Sequence, residues 1–312
     1  MKHFIYIILL SFTLTGFAQH TNLFLADPTI FEHDGTYYAY GTKENDKIKG
    51  EGFLVYTSTD LKHWEGPKGA TDGFAFKKGD GYGTWGFWAP QIFEYNGKFH
   101  MAYTANEHIA IATSDSPLGP FKNDGSKIDS EVKQIDPFIF FDNGKVYLYH
   151  VRLENGNRIF VAEMTKDLKS IKPNTLQECI HATQLWEDTV KAEWTVTEGP
   201  TVIKRKNTYF LIYSANDFRN KDYAVGYAIS NNPSGPWKKK ENSPIISRKL
   251  LNYPGTGHGD VFYDTKGKLN YVFHTHNSEL EVGPRKTASV TLNLRGKKLT
   301  ISKNKTINWL EI

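Results

Sequence analysis

Apolar and polar positions alternate in short runs along almost the whole chain, and the runs fall into related groups. Five stretches begin alike: Asp27-Pro28-Thr29-Ile30-Phe31, Ala89-Pro90-Gln91-Ile92-Phe93, Asp136-Pro137-Phe138-Ile139-Phe140, Gly199-Pro200-Thr201-Val202-Ile203 and His258-Gly259-Asp260-Val261-Phe262. Their spacings are 62, 47, 63 and 59 residues. Each stretch leads through a polar turn into an aromatic-rich strand. Asp34-Gly35, Asn96-Gly97 and Asn143-Gly144 lie between apolar runs. These pairs are hairpin signals, because Asn, Asp and Gly tolerate the positive φ that tight turns require.

A third strand follows, as in Phe53–Ser58, Ile109–Ser114 and Ala224–Ser230. Then comes a recurrent corner such as Ser114-Asp115-Ser116-Pro117 or Ser230-Asn231-Asn232-Pro233. Three strands, a corner and an outer strand predict a four-stranded sheet. Five such sheets set radially predict an all-β, single-domain, five-bladed β-propeller over residues 22–312. Helical periodicity is nearly absent, and its best candidate is 176–187. Gly81–Gly86 matches G-x-G-x-x-G, but no βαβ unit surrounds it, so it carries no dinucleotide signal.

Residues 1–18 read as a signal peptide. Lys2 and His3 precede an apolar run over 4–14, and small residues follow near Ala18. That run is short for a membrane span. Export is therefore expected. The lone Cys179 of the 312 residues excludes a disulfide framework and a multi-cysteine zinc site. A net charge of +4 is too small to argue for nucleic acid. Seven Lys or Arg against one acid, Glu311, lie between Arg285 and the C-terminus, and they read as a solvated face.

The repeat aims acids at one place. First strands of propeller blades line the central channel, so equivalent positions converge at its mouth. Asp27 and Asp136 share a repeat position, Glu198 sits one residue earlier in its unit, and Ala89 and His258 complete the ring. Three carboxylates crowded there would be costly in a purely structural protein. An Asp before Pro can also simply cap a turn, which is the structural reading of Asp27 and Asp136.

These residues carry a resemblance. Ala26-Asp27-Pro28, Trp88-Ala89-Pro90, Ile135-Asp136-Pro137, Glu198-Gly199-Pro200 and Gly257-His258-Gly259, with Arg285 beyond them, resemble glycoside hydrolase family 43 in order, spacing and repeat phase. The resemblance implies a five-bladed propeller that cleaves arabinose- and xylose-containing polysaccharides with inversion. It implies Asp27 as general base, Glu198 as general acid and Asp136 as the modulator of the acid. Inversion calls for carboxyls about 6.5–9.5 Å apart, with water between them.

By the same resemblance His258 faces the channel and helps hold a hydrated structural calcium ion, while the chemistry itself needs no cofactor. Calcium prefers oxygen ligands, so an imidazole would act through water or by orientation. Arg285 would hydrogen-bond the sugar, or else pair with an acid. Trp85, Phe87 and Trp88 suit either a sugar-stacking wall or packing between blades. His274 and His276 form an H-x-H that reads as structural or substrate-side, since two ligands do not make a zinc site.

The expected activity is release of terminal α-L-arabinofuranosyl units from an oligosaccharide or polysaccharide partner. β-Xylosidase, endo-arabinanase and a non-catalytic carbohydrate-binding propeller are the rivals. The loops at 43–52, 66–86 and 183–197 would decide among them. Oligomeric state is not encoded in any pattern found.

Overall fold

A computed structural model describes residues 21–312. The signal peptide expected over 1–18 lies outside them. The chain forms five antiparallel blades in sequence order around one axis. Their innermost strands are Leu25–His33, Trp88–Tyr95, Gln134–Asp142, Thr197–Arg205 and Gly257–Tyr263. Each is the first strand of its repeat, and each touches its neighbours around the ring. The hairpin pairs take the expected conformation: φ is 49° and 75° at Asp34-Gly35 and 48° and 73° at Asn143-Gly144.

Blades three and four have four regular strands each, as expected. Blades one and two have three, and their fourth strands shrink to the single bridges Thr57–Glu65 and Thr113–Lys122. The chain ends close the ring. Asn22 bridges Glu311, and Leu23 N–H donates to the Leu310 carbonyl at 2.7 Å. Among the described residues no helix is long and apolar enough to cross a membrane.

The core lies between blades. Second strands such as Lys98–Ala105 and Thr208–Ala215 are buried along nearly their whole length. Tyr40 and Tyr149 are fully buried and donate their hydroxyls to the carbonyls of Pro117 and Pro233. Each thus docks a second strand onto the corner of the following blade. Burying such a ring contributes about 1.5–3 kcal/mol, provided its hydroxyl finds a partner.

The helix expected over 176–187 does not form. Gln177–Ile180 is the outer strand of blade three, paired with Asn157–Met164. The open edge of that sheet supplies hydrogen bonds that a short isolated helix would lack. The helix found in the described chain is the single turn Arg248–Leu251.

Candidate active site

Every innermost strand carries a β-bulge at the same repeat position. The residues there are Asp27, Ala89, Asp136, Gly199 and His258, with φ of 49°, 46°, 55°, 58° and 41°. Four of the five are not glycine, so the left-handed backbone is strained. A bulge re-aims its side chain, and here it turns Asp27, Asp136 and His258 toward one end of the channel.

The freed backbone N–H groups are caught around the ring. Four of the five blades lend a side chain from the second strand to the bulge of the next. Thr42 Oγ1 accepts from Ala89 at 3.0 Å, Thr104 Oγ1 from Asp136 at 2.9 Å and Ser214 Oγ from His258 at 2.7 Å. His274 Nδ1 accepts from Asp27 at 3.1 Å and closes the circle. Blade three breaks the series. Its equivalent residue is Val151, paired opposite Ile135 and unable to accept. There the Asp136 carboxylate substitutes, and its Oδ2 accepts the Gly199 N–H at 3.1 Å. Gly199 is required at its position, because a Cβ would lie 2.7 Å from the His258 ring.

Asp27, Asp136 and Glu198 all line one cavity of about 610 Å³ at the channel mouth, a size typical of small-molecule sites. Asp27 Oδ2 accepts from Thr42 Oγ1 at 2.7 Å, while Oδ1 faces Arg285 Nη1 at 3.4 Å and His258 Nδ1 at 3.3 Å. Burial pushes the Asp27 carboxyl upward, but His258, Arg285 and His274 outweigh it and hold the group well below the usual range. Burial in turn lowers the proton affinity of the His258 and His274 rings. His274 is fully enclosed beneath Asp27, and His276 Nε2 meets the Phe218 carbonyl at 2.8 Å.

Glu198 has the opposite setting. Burial, with Asp27 and Asp217 nearby, pushes its carboxyl up to about 7. Tyr223 donates its hydroxyl to Oε1 at 2.7 Å and Asn157 its amide to Oε2 at 3.1 Å, and both act downward without reversing the shift. Asp136 is also raised, by burial and then by Glu198 and Asp27. Asp136 and Glu198 titrate as a pair in which protons are held well above the ordinary carboxylate range.

The remaining expected residues separate. Trp88 lines the cavity. Trp85 sits outside it at the rim, half exposed, edge-on to Trp88 with ring centroids 5.9 Å apart. Phe87 is turned away into the hydrophobic interior, against Phe53 and Phe76, and forms no part of the cavity wall. Phe87 lies one residue before the strand and faces the blade core, while Trp88, the first residue of the strand, faces the cavity. Arg285 lines the cavity and is clamped by Glu44, with Nη2 2.6 Å from Oε1. Its guanidinium also stacks over Phe218 at 4.7 Å.

His258 offers a single imidazole. Among the described residues no group of three or more His, Cys, Asp or Glu side chains is arranged to hold a metal ion.

Several site residues carried no signal in the sequence. Glu44, Asn157, Trp194, Asp217 and Tyr223 come from loops or strand ends with no repeat counterpart, and only the fold brings them to the acids.

The family model for glycosyl hydrolases family 43 matches residues 21–301. The chain belongs to that family. Among solved structures, an endo-1,4-beta-xylanase from Bacteroides thetaiotaomicron superposes with a TM-score of 0.86 at 41% identity, covering 94% of this chain and 98% of its own. A thermostable family-43 glycoside hydrolase gives 0.80 at 35% identity, covering 89% and 92%. A xylosidase/arabinosidase of Butyrivibrio fibrisolvens is 26% identical over 78% of this chain, which spans about half (48%) of that relative's length. Catalysis in the family requires no cofactor.

Proposed function

We propose that this family 43 chain is an exported, inverting glycoside hydrolase that releases terminal pentose units, α-L-arabinofuranosyl units first, from plant polysaccharide. One observation carries the reading: two carboxyls of one cavity are displaced in opposite directions, Asp27 down and Glu198 up to about 7. Such a split assigns a base and an acid.

Asp27, ionised, takes a proton from a water as that water's oxygen bonds to the anomeric carbon. Glu198, protonated, gives its proton to the glycosidic oxygen as the bond between that oxygen and the anomeric carbon breaks. Proton exchange with solvent then resets both groups. Asp136 modulates the acid in this reading: its own carboxyl, raised by burial and by Glu198, titrates together with it and is pinned through Gly199. Trp88 and Arg285 would take the sugar's face and hydroxyls. A hydrated calcium ion beside His258 belongs to the same reading, as a structural element only.

A xylan-directed activity is the second reading, favoured by the 41% identity to a protein described as an endo-1,4-beta-xylanase. A panel of arabinofuranoside, xyloside and galactoside chromogens, with arabinan and arabinoxylan, separates the two and separates both from a lectin. Near wild-type turnover in Asp27→Ala or Glu198→Ala would overturn the catalytic assignment. Export is tested by locating the protein and sequencing its mature N-terminus.

A further inference from the structure

Asn157 stands between two groups on the Glu198 side of the cavity. Its Oδ1 lies 2.8 Å from Trp194 Nε1, and its Nδ2 lies 3.1 Å from Glu198 Oε2. The indole N–H can only donate, so it fixes which end of the amide faces it. The other end must then present N–H to Glu198. With the amide reversed, its oxygen would accept from the protonated carboxyl but oppose the carboxylate that proton transfer leaves.

The backbone sets the register. Asn157 N–H donates to the Thr195 carbonyl at 2.8 Å, Asn157 bridges Val196, and Thr197 Oγ1 donates to the Asn157 carbonyl at 3.1 Å. A Cβ at Gly156 would lie 2.8 Å from the Thr195 carbonyl oxygen, so the approach of the two segments needs glycine there. Trp194 is half exposed and lines the cavity.

We infer that Trp194 is a positioning residue for the general acid, acting through the Asn157 amide. The inference rests on the assignment of Glu198 as that acid. As the glycosidic bond breaks, Glu198 passes its proton to the leaving oxygen and becomes a carboxylate. The Asn157 N–H then stabilises the charge left on Oε2, and Tyr223 does the same at Oε1. Hydrogen bonds to a charged acceptor are the stronger kind, so their worth grows as the proton departs. A leaving group that departs readily without protonation does not draw on this arrangement, whereas a poor leaving group depends on it.

The test uses aryl pentosides of the sugar on which the wild type turns over, with phenols ranging from dinitrophenol to methoxyphenol. The readout is the ratio of kcat/KM for the poor to the good leaving group. Trp194→Phe keeps a ring and removes the donor, and it is expected to lower the ratio about tenfold. Asn157→Ala is expected to lower it at least as much. Adding Trp194→Phe to Asn157→Ala should change it no further, because the tryptophan acts through the amide. A Trp194→Phe ratio within about twofold of wild type, or effects of the two substitutions that multiply, overturns the inference. Glu198→Gln is run beside them. If it leaves the ratio unchanged, the acid assignment itself fails; if it collapses the ratio while Trp194→Phe does not, only the positioning role fails. Circular dichroism of each variant separates misfolding from these outcomes.

Discussion

Asp136 Oδ2 accepts the backbone N–H of Gly199 at 3.1 Å, across the boundary between blades three and four. This contact ties one acid of the site to the residue that follows another. It exists because Val151 cannot serve the bulge as Thr42, Thr104, Ser214 and His274 do in the other blades.

Charge and scaffold can therefore be separated at Asp136. Asp136→Asn keeps an acceptor for Gly199 but not the charge. It should retain wild-type thermal stability and lose about a hundredfold or more in kcat. Asp136→Ala strands a buried donor and should also lose about 1–3 kcal/mol of stability. Adding Val151→Thr to Asp136→Ala should restore stability without restoring turnover, as read by unfolding curves and kcat on the same preparations.

The raised Glu198 carboxyl has a signature in stability. Its value moves from 4.5 to about 7 on folding, so the folded state binds the proton more tightly. That contribution is complete below about pH 4.5 and is lost as pH rises through about 7. Glu198→Gln removes it, so the variant should gain Tm relative to wild type as pH rises across that window. A constant Tm difference across the range would contradict the shift. The alkaline limb of kcat should fall near the same pH and disappear with good leaving groups.

Arg285 bears on the opposite limb. It stands 3.4 Å from Asp27 and helps keep it ionised. Arg285→Met removes that cation and should move the acid limb of kcat/KM to higher pH, since Asp27 then protonates more readily. It also leaves Glu44 without its partner, so a loss of stability should accompany the shift. An unmoved acid limb would show that His258 and His274 suffice.

Glu187 anchors the loop that brings Trp194 to the cavity. It is fully buried, accepts N–H groups from Thr183 and Gln184 at 2.7 Å, takes the Tyr213 hydroxyl at 2.6 Å and pairs with Lys239 at 2.6 Å. Glu187→Ala leaves Lys239 unpaired in a largely buried place and should cost about 3–5 kcal/mol. Glu187→Gln is milder and should raise KM more than it lowers kcat, with new protease cleavage in 181–196. Unaltered KM and protease resistance would mean that the loop holds its shape by other contacts.

The five repeat starts and the Asn-Gly and Asp-Gly turns marked the blades because both depend on local chemistry. A strand needs alternation, and a tight turn needs residues that tolerate positive φ. The same repeat phase put Asp27, Asp136 and Glu198 at comparable strand positions. Rotational repetition then leaves them little choice but to meet at the axis. The helix expected over 176–187 failed for the complementary reason: an unpaired sheet edge, invisible in the local pattern, claimed Gln177–Ile180.

By itself, then, the chain determined its blades, their order and the three acids at the mouth of the channel, since these follow from patterns within each repeat. The tertiary structure decided which side Phe87 faces, that Arg285 is clamped by Glu44, that Asp136 fills the gap left by Val151, and that Trp194 reaches Glu198 through Asn157. Those relationships join residues far apart in sequence through single hydrogen bonds. A single hydrogen bond imposes no periodicity on the chain, so nothing short of the folded geometry specifies it.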